Sequence, residues 1–61
     1  MNVFLLRLAE RMLNEIFDTV GAYVDQYERT PVFNPIVLVR LRRALELVAE
    51  ARQLIAGAIF G

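Results

Sequence analysis

The sequence contains no cysteine, histidine, lysine, serine or tryptophan. Without Cys and His, the common zinc, haem and iron–sulfur sites cannot form. Without Ser, Cys, Lys and His, the usual nucleophiles and the base that titrates near neutral pH are missing. The absence of Cys also excludes disulfides, so the sequence carries no record of a redox compartment. We therefore predict a protein that is not an enzyme, holds no metal or cofactor and takes no small-molecule substrate.

Long uncharged runs are lacking as well. The longest extend over 30–39 and 53–61, well short of the ~20 residues that a bilayer-spanning helix needs. The apolar start at 3–6 is followed at once by Arg7, which breaks any signal-peptide core. These features predict a cytoplasmic location, and they leave attachment to a membrane surface open.

What the chain does have is apolar content, at 57%, together with seven arginines that balance seven acidic residues. A chain of 7.0 kDa that folds alone buries only about 60% of its unfolded surface. The hydrophobic gain from that burial is about equal to the cost of ordering the chain. We therefore expect this chain to bury more apolar surface against other copies, another protein or lipid.

A single break interrupts the helical pattern. Pro31 and Pro35 stand four residues apart, a spacing that no continuous helix accepts. Asn34 followed by Pro35 is a strong helix-start signal, because Asn caps the free amides and Pro fits the first helical position. The sequence therefore predicts an interhelical turn over 30–34.

On either side of this turn, apolar residues recur with helical periodicity. We predict helices over about 2–29 and 35–60, which form a single domain over 1–61. A short connection between two helices of similar length is typical of an antiparallel hairpin. The predicted fold class is all-α.

The two predicted helices differ in how widely their apolar residues spread. The first gathers its apolar residues on one broad face: Leu5, Leu6, Ala9, Met12, Leu13, Ile16, Phe17, Val20, Tyr23, Val24 and Tyr27. The apolar arc of the second covers half the circumference or more, which one partner helix cannot cover. We therefore predict self-association into a bundle of four or more helices, or docking on another protein. The predicted interface consists of Leu41, Ala44, Leu47, Val48, Ala51, Leu54, Ile55 and Ala58.

Arg40, Arg42 and Arg43 form the densest charge cluster. One interpretation is an anion site for phosphate, lipid headgroups or an acidic partner. The other is pairing within the hairpin, since residues whose numbers sum to about 65 lie level in antiparallel helices that rise 1.5 Å per residue. This rule places Asp25 beside Arg40. The cluster alone does not decide between the two.

Arg52 is the second unusual charge, because it projects from the middle of the apolar arc of the second helix. It lies level with Leu13 and near Glu10 and Glu15. A charge at such a position either pairs across an interface or extends to its edge. We predict an intersubunit or interhelical salt bridge of Arg52 that fixes the register of the packed helices. The alternative is that Arg52 is a polar anchor for another protein.

Several residues near the turn carry lesser expectations. Tyr23 and Tyr27 are expected to pack in the core with their hydroxyls at its edge, and Phe33 is expected to plug the end of the bundle. Gly21 inside the first helix costs about 1 kcal/mol relative to Ala. A close helix crossing at that point would explain it.

In length and helical outline, the chain resembles the small plasmid copy-number regulators, which are helical hairpins that pair into four-helix bundles and bind RNA. The resemblance is one of architecture and carries no residue roles. It implies a nucleic-acid-binding regulator, although a net charge of zero is unlike the basic surface of such proteins. The leading expectation is a non-enzymatic assembly module. A membrane-surface protein that uses the apolar arc and the Arg cluster is the first alternative, and a nucleic-acid regulator is the second.

Overall fold

The computed structural model describes residues 2–32 and 34–61, which form two helices. Helix α1 spans Val3–Glu28 and helix α2 spans Pro35–Phe60, and each is 26 residues long. The described ranges contain no β-strand. The two helices run antiparallel and pack against each other along their length. The predicted all-α helical hairpin is confirmed.

Both helices begin at an asparagine cap. The Oδ1 atom of Asn2 accepts a hydrogen bond from the Leu5 amide at 3.3 Å, and the Oδ1 atom of Asn34 accepts one from the Ile36 amide at 2.9 Å. Each bond satisfies one of the amides that a helix N-terminus leaves without an intrahelical partner. Pro35 follows Asn34 at the first helical position, as the sequence indicates.

The turn is held by hydrogen bonds to the end of α1. The Thr30 amide donates to the Tyr27 carbonyl at 3.1 Å, and the Thr30 hydroxyl donates to the Gln26 carbonyl at 3.2 Å. The Asn34 amide donates to the Tyr27 hydroxyl at 2.8 Å, which ties the start of α2 back to the last turn of α1. Phe33, which we expect to plug the bundle end, lies outside the described residues.

The helices meet along a line of residues spaced alternately three and four apart, which we call the inner seam of each helix. The inner seam of α1 consists of Leu6, Glu10, Leu13, Phe17, Val20, Val24 and Tyr27. The inner seam of α2 consists of Leu38, Leu41, Leu45, Val48, Arg52, Ile55 and Ile59. All fourteen are half-buried except Val24, which is buried with 5% exposure. This spacing repeats every seven residues, as left-handed packing of neighbouring helices requires.

The hairpin is long and thin. Its Cα extents are 47 × 15 × 11 Å. Its radius of gyration is 14.3 Å, whereas a compact chain of this length has about 10.5 Å. Its accessible surface is 4904 Å², against about 4,000 Å² for a compact monomer of the same mass. Among the described residues Val24 alone is buried, so this hairpin has almost no interior.

Candidate association surface

Each helix carries a second line of residues with the same spacing, which we call its outer seam. The outer seam of α1 consists of Leu5, Ala9, Met12, Ile16, Thr19 and Tyr23. The outer seam of α2 consists of Val37, Arg40, Ala44, Leu47, Ala51, Leu54 and Ala58. Most of these side chains are exposed, including Met12 at 54%, Tyr23 at 53% and Leu54 at 69%. The outer seams have the same residue spacing as the inner seams, but most of their side chains are not covered by the other helix of the hairpin.

The two outer seams lie on the same side of the hairpin. At 100° per residue, each outer seam lies about 100° from the inner seam of its own helix, and both are offset in the same rotational sense. Because the helices run in opposite directions, the same rotational sense brings both offsets to one side of the plane that contains the two axes. The outer seams therefore form one continuous surface, which we call the apolar face. A shallow depression on the α1 part of this side is lined by Met12, Glu15, Ile16, Thr19 and Val20.

The interface predicted on α2 divides between the two seams. Leu41, Val48 and Ile55 are half-buried in the inner seam, so they already pack within the hairpin. Ala44, Leu47, Ala51, Leu54 and Ala58 belong to the outer seam, where all but the half-buried Ala51 are exposed. Any association through this side of α2 depends on the second group.

The interface predicted from the sequence lies on α2 alone, so it leaves out the residues that α1 contributes to the apolar face. Leu5 and Ile16 belong to the broad apolar face of the first helix and are 58% and 45% exposed. The sequence contains a sign of this exposure: the broad face of α1 holds eleven apolar residues, whereas a single neighbouring helix covers one seam of about seven. The apolar face therefore extends over both helices.

The opposite side of the hairpin is polar, and part of the arginine cluster is neutralised there. Arg42 pairs with Glu28 across the hairpin, and Arg43 pairs with Glu46 on its own helix at 2.9 Å. The Arg42–Glu28 pair follows the interpretation of pairing within the hairpin, whereas the Arg43–Glu46 pair lies within α2 itself. Both are exposed pairs, so each contributes about 0–1 kcal/mol.

Arg40 lies apart from the other two arginines, on the outer seam of α2. Its expected partner Asp25 is level with it along the axis, but the helical phases place the two residues on opposite sides of the hairpin. Within the described residues, no ion pair joins Arg40 to Asp25. Arg40 thus puts a positive charge at the turn end of the apolar face.

Arg52 occupies the inner seam of α2, where its guanidinium lies over the ring of Phe17. The guanidinium carbon lies 4.8 Å from the centroid of the Phe17 ring, within the range of a cation–π contact. Arg52 also lines a depression together with Glu10, Asn14, Ala49, Gln53 and Ala56. The predicted salt bridge is not formed among the described residues, and a register-fixing role for Arg52 stays a prediction.

The remaining expectations near the turn are met in part. Tyr27 is half-buried and accepts the Asn34 amide proton, whereas Tyr23 is 53% exposed on the apolar face. Their rings stack with centroids 6.1 Å apart. A Cβ atom built on Gly21 would meet no atom within 4 Å, so the close helix crossing expected there does not occur in this hairpin.

Two kinds of site are absent from the described residues. They include no group of three or more His, Cys, Asp or Glu placed to hold a metal ion. Within the same ranges, neither helix has a stretch that is both long and apolar enough to cross a bilayer. The apolar face, with Met12, Tyr23 and Leu54 more than half exposed, is the feature of the described ranges on which a functional proposal can rest.

Comparison with known proteins identifies no relative: no family model, no curated protein and no solved structure matches the chain.

Proposed function

We propose that this protein is a non-enzymatic assembly module that self-associates through its apolar face into a bundle of four or more helices. The observation that carries the proposal is that both helices place exposed apolar side chains, among them Met12, Leu47 and Leu54, on the same side of a hairpin with one buried residue in its described ranges. An apolar surface of this extent is typical of a protein interaction site.

The polar side of the hairpin supports this choice over nucleic-acid binding. Arg42 and Arg43 are each paired with a glutamate, and acidic and basic residues are mixed on that side. A nucleic-acid regulator needs a continuous basic surface for the phosphate backbone. We therefore propose that the partner of the apolar face is a protein and not a nucleic acid.

The test is the native mass of the chain by light scattering over a range of concentrations in detergent-free buffer. We expect the wild type to exceed the monomer mass of 7.0 kDa. The double variant Leu47→Gln with Leu54→Gln should shift the association midpoint at least tenfold to higher concentration, because both side chains lie on the apolar face. A wild type that is monomeric at every concentration would overturn the proposal.

The matched control is Val39→Gln. Val39 is 66% exposed, almost as much as Leu54 at 69%, but its helical phase places it away from the apolar face. Its replacement should leave the mass unchanged. Equal effects of the two sets of substitutions would show non-specific hydrophobic association and would contradict a defined face.

Co-sedimentation with anionic and neutral liposomes examines the membrane-surface alternative on the same samples. The assembled wild type should stay in the supernatant, because its apolar face is then covered by protein. Binding to liposomes that competes with self-association, with loss of both in the double variant, would favour the membrane alternative.

A further inference from the structure

We infer that the apolar face is covered by a second copy of this chain, with the two turns at the same end, so that α1 of each copy packs against α2 of the other. This inference rests on the proposed function and adds the identity and orientation of the partner. Two hairpins joined face to face by a two-fold axis have two orders available. In the same-end order α1 meets the partner's α2, and in the opposite-end order each helix meets its own counterpart.

The amount of exposed surface matches what one further copy would cover. The hairpin exposes 4904 Å², which is roughly 900 Å² more than a compact monomer of 7.0 kDa exposes. A stable dimer covers about 800 Å² on each partner. A single face-to-face contact would therefore reduce the accessible surface of each chain to about that of a compact protein of the same mass.

The charges of the two helices favour the same-end order. Helix α1 holds two arginines and five acidic residues, and helix α2 holds four arginines and two glutamates. The same-end order places each acidic helix beside a basic helix both within a copy and between copies. The opposite-end order places acidic beside acidic and basic beside basic, which costs free energy through like-charge repulsion.

The side-chain sizes on the apolar face favour the same order. In the same-end order, residues of the two copies lie level when their numbers sum to about 65, as they do within one hairpin. Ile16 then meets the partner's Ala51, and Tyr23 meets the partner's Ala44, so large side chains face small ones. The opposite-end order places the bulky outer seam of α1 against itself and leaves the alanines of α2 facing each other. Dense packing requires the first kind of match.

Arg40 supplies a third, independent observation. In the same-end order it lies level with the partner's Tyr23 and Gln26, where an aromatic ring and an amide oxygen can receive a guanidinium. In the opposite-end order it lies near the partner's Ala58, at the apolar end of the seam. A charge placed there would lose water without gaining a polar contact.

Distances between spin labels distinguish the two orders. The chain contains no native cysteine, so Val32→Cys labels the turn and Phe60→Cys labels the open end, each at a single site. Both positions are highly exposed, at 87% and 81%. In the same-end order, each labelled homodimer should give a distance below about 25 Å, because packed helices lie 8–10 Å apart. In the opposite-end order, both distances should exceed about 40 Å, as the hairpin is 47 Å long.

Ala44→Leu provides a second test whose sign differs between the two orders. In the same-end order the added side chain clashes with the partner's Tyr23 and should weaken dimerisation about tenfold. In the opposite-end order it fills space between facing alanines and should strengthen dimerisation. Ala22→Leu, at an exposed position away from the apolar face, is the matched control and should leave the dissociation constant within about twofold, since isolated surface changes are small.

The outcomes separate this inference from the proposed function. A dimer with two short distances and weakened Ala44→Leu association supports the inference. A dimer with two long distances overturns the orientation and leaves self-association standing. A wild type that is monomeric throughout the light-scattering series overturns both.

Discussion

The half of the hairpin next to the turn and the half at the open end are built differently. Near the turn, the inner seams are apolar, Val24 is buried, and hydrogen bonds from Thr30 and Asn34 hold the chain reversal. Towards the open end, the inner seams contain Glu10 and Arg52. We therefore expect the turn half to supply most of the stability of the single chain, and the open half to depend more on what covers the apolar face.

We expect substitutions that introduce a charge into the inner seam to show the largest difference in the free energy of unfolding between the two halves. Val24→Asp places an unpaired carboxylate at the buried position of the turn half and should lower the free energy of unfolding by at least about 3 kcal/mol. Leu6→Asp, at a half-buried position of the open half, should lower it by about 1 kcal/mol. Denaturant unfolding followed by circular dichroism, at one protein concentration, measures both. Equal losses would contradict the comparison.

The second prediction concerns the charge in the open half of the inner seam. Arg52→Met removes a half-buried guanidinium but keeps an apolar side chain, and should raise the free energy of unfolding by about 1–2 kcal/mol. Amide hydrogen exchange should slow in the open half alone. Arg42→Met is the control, because it removes an exposed pair with Glu28 and should change stability by less than about 1 kcal/mol. A loss of stability in Arg52→Met would show that the contact with Phe17 outweighs the desolvation of the charge.

The same Arg52→Met variant examines the predicted role of Arg52 in fixing register. If the guanidinium selects one alignment of the helices, its removal should double or broaden the amide signals of open-half residues in an NMR spectrum. Oligomer mass should also become less uniform in light scattering. A single sharp set of signals and an unchanged mass would contradict the register hypothesis.

Removing the helix caps should show a smaller difference in stability between the halves, again with the larger loss at the turn. Asn34→Ala removes the 2.9 Å bond that starts α2 at the turn and should lower the free energy of unfolding by about 1 kcal/mol. Asn2→Ala removes a longer bond of 3.3 Å at the open end. It should cost about half as much, because a terminal helix turn frays. Thermal unfolding monitored by circular dichroism tests this order, and a larger cost at Asn2 would reverse it.

Substitution of the glycines is expected to change the free energy of unfolding by no more than about 1 kcal/mol. Gly21→Ala should raise the free energy of unfolding by about 0.5–1 kcal/mol, since a Cβ there meets no atom within 4 Å and alanine is the better helix former. Gly57→Ala has equal space but lies in the last turn of α2, where the gain should be smaller. If Gly21→Ala lowers the stability only at concentrations where the protein is associated, Gly21 lies at a close helix crossing in the assembly.

The sequence allows the two helices and their caps to be predicted, because Asn34, Pro35 and the helical periodicity act locally. The division of each broad apolar face into an inner and an outer seam could not be predicted in the same way. A helix with apolar residues at both Leu13 and Met12 fits a neighbour on either edge of its face, and the reversal of the chain at the turn decides which edge is used. Arg52 was recognised as unusual, but its contact with Phe17 depends on that same choice of edge.

The antiparallel pairing also sets an order for folding. The Tyr27 hydroxyl and the Asn34 amide are only seven residues apart, whereas Leu6 and Ile59, level at the open end, are separated by nearly the whole chain. The entropy lost on closing a loop grows with its length. We therefore expect the hairpin to close first at the turn and then to pair progressively towards its ends. On this expectation, the hydrogen bond from the Asn34 amide to the Tyr27 hydroxyl is among the first contacts across the turn to form.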